Sequence, residues 1–122
     1  MGYNTALDLV GYYFMTKKDP LEYRAATPEE VEMIAEKINK FEDLGDSFEN
    51  DGNLSICTKW YDTDDDSVAR FTDTIPDLMM IIFGDGDSSD DRWRCYYSNG
   101  KYFKYYAKYD VPNKWPPDNA DQ

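Results

Sequence analysis

The chain contains no histidine. That absence removes the Ser-His-Asp triad, the Cys-His pair, every histidine-ligated metal site and the zinc deaminase signature. Cysteine is nearly as scarce. Cys57 and Cys95 are too few for a zinc site, and without an export signal they read as reduced and buried. There is no Walker loop, and Gly84-Asp85-Gly86 is flanked by acids that make it a poor phosphate cradle. No segment approaches the roughly 20 apolar residues of a membrane span. Residues 1–5 lack the basic region and apolar core of a signal peptide, so a cytoplasmic location is expected. Basic clusters are confined to Arg92-Trp93-Arg94 and to Lys101, Lys104 and Lys108, which argues against direct nucleic-acid binding.

Positive charge is thinnest in the middle. Between residues 42 and 91 the only bases are Lys59 and Arg70, against fifteen carboxylates. The whole chain carries 25 acids and 13 bases, a net charge of -12. Such a surface repels nucleic acid, anionic membranes and acidic substrates, and it attracts basic protein surfaces. Eleven tyrosines and three tryptophans are a heavy aromatic load for 122 residues; those that reach the surface are good interface material. The length suits one domain, expected over residues 1–111 with a loose proline-containing tail at 112–122.

Residues 7–15 are apolar and aromatic and read as a strand. Thr27-Pro28-Glu29-Glu30 then carries a helix cap, a proline suited to the first turn and a capping-box glutamate. Val31, Ile34, Ile38 and Phe41 recur at helical spacing, with Glu29, Glu32, Glu36 and Lys40 on the wet side. Alternation over residues 54–61 predicts a second strand. A second helix starts in the acids at 62–66, presents Val68, Phe71 and Ile75, and ends at Pro76. The apolar run at 78–83 reads as a buried central strand. Residues 84–91 read as a loop, and Ser98-Asn99-Gly100 as the turn of a terminal hairpin. The order strand, helix, strand, helix and three strands predicts an α+β two-layer sandwich. Its sheet would be mixed, of about five strands, with right-handed crossovers and both helices on one face.

Two aspartate clusters are the candidate binding residues. Asp62, Asp64, Asp65 and Asp66 open the second helix, where capping and the helix dipole account for acids. Asp85, Asp87, Asp90 and Asp91 resemble a calcium loop in composition but lack the sixth-position glycine and closing glutamate of an EF-hand. With parallel crossovers both clusters fall along one edge of the sheet. There they would imitate the spaced phosphates of a nucleic acid and occupy the same lysines and arginines. The plainer account is that acidity keeps the protein soluble. In the last strand Tyr102 and Tyr106 share a face with Lys104 and Lys108, as a cover for the sheet or a partner surface. No set of nucleophile, base and oxyanion donors is filled, so no enzyme activity and no cofactor are expected.

Residues 54–111 resemble a group of small proteins of bacteriophages and mobile elements. The resemblance rests on Lys59-Trp60-Tyr61-Asp62, Ile75-Pro76-Asp77-Leu78, Gly84-Asp85-Gly86-Asp87, Asp91-Arg92-Trp93 and Asn99-Gly100-Lys101. It implies a ferredoxin-like α+β fold and a phage or prophage source, and it carries no catalytic residue across. Source and charge together point to an inhibitor of a host defence protein, of the anti-CRISPR kind, that occupies a basic nucleic-acid groove. Two alternatives remain: a small metal-binding module or enzyme using the clustered aspartates, and a structural phage protein that self-associates through tyrosines.

Overall fold

The computed structural model describes residues 6–41, 44, 48, 51–52, 62–85, 92–106 and 112–117. Five strands and two helices lie within them: β1 (Ala6–Lys18), β2 (Leu21–Ala25), α1 (Pro28–Lys40), α2 (Asp62–Thr72), β3 (Leu78–Asp85), β4 (Arg92–Ser98) and β5 (Lys101–Tyr106). The strands form one sheet in the order β2-β1-β3-β4-β5. Every described pairing is antiparallel, so the expected mixed sheet with parallel crossovers is corrected. Three of the four pairings join consecutive strands, and hairpins rather than helical crossovers carry most of the sheet. The strand expected over residues 54–61 lies outside the described residues, as does Cys57.

The period of two in the strands sorts side chains onto two faces. Val10, Tyr12, Leu78, Met80, Ile82, Trp93, Cys95 and Tyr97 point to one face. Ile34 and Ile38 of α1 and Val68, Ala69 and Phe71 of α2 complete the same cluster, which places both helices on that face as expected. Met15, Met79, Ile81, Tyr96 and Phe103 point to the other face. There the cover is Trp115, whose ring meets Phe103 edge-on at 4.9 Å. Two backbone hydrogen bonds, Leu21 N–H to Asn113 carbonyl and Trp115 N–H to Lys18 carbonyl, fasten residues 112–117 to the β1–β2 hairpin. This part of the expected loose tail is therefore a packed strap; residues 118–122 lie outside the described ones.

Two local readings hold in detail. Asn99 and Gly100 adopt φ of 55° and 79°, the left-handed pair that a tight β4–β5 turn requires. Thr27 caps α1 with a full capping box: Glu30 N–H donates to Thr27 Oγ1 at 3.2 Å, and Thr27 N–H donates to Glu30 Oε1 at 2.9 Å. Arg24 of β2 adds two hydrogen bonds to the same carboxylate, at 2.7 and 2.9 Å. Arg24 first, and then the Thr27 backbone, hold the Glu30 carboxyl at a pKa of about 2.

A depressed folded-state pKa stabilises the fold above the ordinary carboxylate value of 4.5 and loses that contribution as pH falls towards about 2. The stability difference between wild type and Glu30→Gln should therefore be greatest above pH 4.5 and shrink steadily below it. Urea unfolding of both proteins across this range reads it directly, and a gap independent of pH would refute the assignment.

Candidate functional site

α2 sorts its residues by helical register. Thr63, Asp66 and Arg70, with Asp73 just beyond the helix, are exposed; Asp65, Val68, Ala69 and Thr72 face inward. Asp65 thus occupies the first position of the buried stripe and is 1% exposed. Two side chains from the sheet meet it. Tyr97 of β4 donates its hydroxyl to Asp65 Oδ1 at 2.6 Å, and Lys104 of β5 donates from Nζ to Oδ2 at 2.6 Å. Both carboxylate oxygens are occupied, and the pair pins the start of α2 to the two terminal strands.

The surroundings fix the protonation of this network. Lys104 Nζ stands 4.2 Å from the centroid of the buried Trp93 ring. Burial works against the Lys104 charge, but the Asp65 carboxylate outweighs it and holds the ammonium pKa above its ordinary value. Burial first, and then the neighbouring Cys95 and Asp65, push the Tyr97 phenol well above its usual range, so it remains a donor. Cys95, opposite Lys104 in the β4–β5 register, is a free buried thiol. Burial and the Asp65 charge raise its pKa well above the ordinary thiol value, whereas nucleophilic chemistry needs the thiolate.

The predicted binding residues therefore separate. Asp65 is not a surface acid: its place in the apolar register of α2 turns it inward, where it holds the fold together. Asp66 is exposed and Asp64 half-buried, and both line a polar depression with Thr63, Ser67, Arg70 and Gly100. Asp62 is the first residue of α2, and Asp85 is the last of β3, in backbone register with Arg92. Asp87, Asp90 and Asp91 lie outside the described residues. Asp73, just past the C-terminal end of α2, lies against Gly100 in the β4–β5 turn.

The tyrosine pair separates too. Tyr102 packs against the helix-side core, its ring 6.1 Å from that of Tyr97. Tyr106, at the end of β5, is 57% exposed.

Acids that the sequence reading treated only as a wet helix face are more prominent in the structure. Glu29, Glu32 and Glu36 of α1 are exposed, as are Asp66 and Asp73 at α2. Because both helices cover the same sheet face, these carboxylates share one layer, broken by Lys37, Lys40 and Arg70. Among the described residues no three acids or cysteines converge as a metal site would require, and no helix is long and apolar enough to cross a membrane. Compared with protein-family models, with curated proteins and with solved structures, the chain matches none.

Proposed function

We propose that this protein is a non-enzymatic acidic binder that presents its helical layer to a basic surface of a nucleic-acid-binding protein. The observation that carries the reading is the placement of exposed carboxylates from two helices in one layer, on a chain of net charge -12. Carboxylates so arrayed compete with phosphates for the same lysines and arginines. The resemblance over residues 54–111 supports a phage or mobile-element source and a ferredoxin-like relation of helices to sheet. With the charge, it favours a host defence protein such as a CRISPR effector as the target, bound in the host cytoplasm.

The test has two stages. The chain captures its target from host lysate under a salt gradient, and the purified target is then challenged with nucleic acid. Saturating nucleic acid should displace the chain. Reversal of Glu32, Glu36, Asp66 and Asp73 to lysine should weaken binding by at least about a hundredfold, since close charge pairs across interfaces couple by several kcal/mol. All four residues are exposed, so circular dichroism should stay that of the wild type. A target held equally well by the reversed protein and in the presence of nucleic acid would refute the reading.

A further inference from the structure

We propose that the apolar groove along α1 seats a basic amphipathic helix of the partner protein, an inference that rests on the acidic-binder reading. The groove encloses about 620 Å³. Ala26, Val31 and Ala35 supply its apolar surface; Glu32 and Glu36 from the helix, and Asp51 from the facing turn, supply carboxylates.

The turn that forms the second wall is held in place by packing. Tyr12 of β1, on the helix-facing side of the sheet, donates its hydroxyl to the Gly52 carbonyl. Gly52 has φ of +85°, and a Cβ there would lie 3.3 Å from the Ala35 methyl and 3.2 Å from the Tyr12 hydroxyl. Glycine at 52 and alanine at 35 let the turn close on the helix, which sets Asp51 at the side of the groove opposite Glu32 and Glu36. Burial, and secondarily the Asp51 charge, raise the Tyr12 pKa, so the phenol stays protonated and keeps donating.

The occupant follows from charge and shape. Carboxylates beside an apolar floor are complementary to an apolar ridge flanked by lysine or arginine, and they repel anionic lipid and nucleic acid. The lining of α1 runs from residue 28 to residue 39, which is about 16 Å at 1.5 Å per residue. That length matches about three turns of a helix docked alongside α1, read through anchors at i, i+3 or i+4, and i+7. The Lys40–Glu36 pair, at 3.4 Å and largely exposed, does not tie Glu36 down.

Fluorescence anisotropy of the full chain with labelled peptides tests this. One peptide of about sixteen residues places leucines at helical period among lysines, long enough to cover the stretch of about eleven helical residues that the groove accommodates. A second has the same composition in strict alternation, and a third is all lysine. The helical pattern should bind at least about tenfold more tightly than either control. Glu32→Lys with Glu36→Lys should abolish that preference, while Asp66→Lys with Asp73→Lys, an equal charge change at α2, should preserve it. Equal binding of the two leucine peptides, or equal losses in the two double variants, would overturn the groove while leaving the acidic-binder reading intact. If no peptide binds even at low salt, the acidic-binder reading falls with it.

Discussion

Asp65→Ala should destabilise the protein by about 3–5 kcal/mol, the range for removing one member of a buried ion pair. The substitution strands Lys104, whose side chain is 12% exposed, and leaves the buried Tyr97 hydroxyl without its acceptor. For a domain of this size the loss corresponds to a fall in melting temperature of about 10–20 °C. Asp65→Asn should fall between, because it keeps an acceptor for Tyr97 and loses the charge. The decisive variant is Asp65→Ala combined with Lys104→Met. Removing both charges should restore much of the stability, since an apolar replacement of a buried pair is often close to neutral. Calorimetry of the wild type, Asp65→Ala, Lys104→Met and the double variant closes the cycle. Additive losses in the double variant would show that the pair does not act as a unit. The result also bears on binding studies: reversing all four aspartates at the start of α2 would report unfolding through Asp65 before it reported lost affinity.

What was legible in the sequence is what local chemistry dictates. The α1 cap needs Thr27, Pro28 and Glu30 within four residues, and the β4–β5 turn needs only Asn99 and Gly100. Its charge alone marks Asp65 as a surface binding residue, but its register buries it. It stands three and four residues before Val68 and Ala69, so helical spacing already marks it as inward-facing. Its partner carried the matching signal, since Lys104 alternates with Phe103 and Tyr105 and so points to the opposite face from them. The sequence of β2 gives no such signal. Most of this edge strand is exposed, it has no apolar alternation, and Glu22 and Arg24 give it the charges that keep sheet edges from pairing with other chains. Strand direction is a long-range property: β1 and β3 pair across some sixty residues, and nothing local distinguishes their antiparallel pairing from a crossover. The strap is hard to read from sequence because prolines and charges surround its aromatic anchor; among its described residues Trp115 joins the core and Pro117 is also buried.

Gly84 offers the second large effect. In sequence it belongs to a glycine-acid repeat and reads as loop. In the structure it lies within β3, directly opposite Trp93 of β4. A Cβ at Gly84 would overlap the Trp93 indole, so the missing side chain is the seat of that ring. The indole is 4% exposed and has little room to retreat, because Lys104 sits against it and is itself held by Asp65. Gly84→Val should therefore cost about 3 kcal/mol, the upper part of the usual range for overpacking, and lower the melting temperature by about 10 °C; Gly84→Ala should cost less. Shrinking the ring tests the cause. In a Trp93→Leu background Gly84→Ala should cost much less than in the wild type, because the clash is gone. The same contact chain predicts coupling to the ion pair: Gly84→Ala moves the ring on which Lys104 rests, so its cost and that of Asp65→Ala should not sum. Strict additivity of those two variants, or an undiminished Gly84→Ala cost without the indole, would show that Trp93 is not seated on Gly84. It would also show that β3, β4, β5 and α2 are not joined through this one stack.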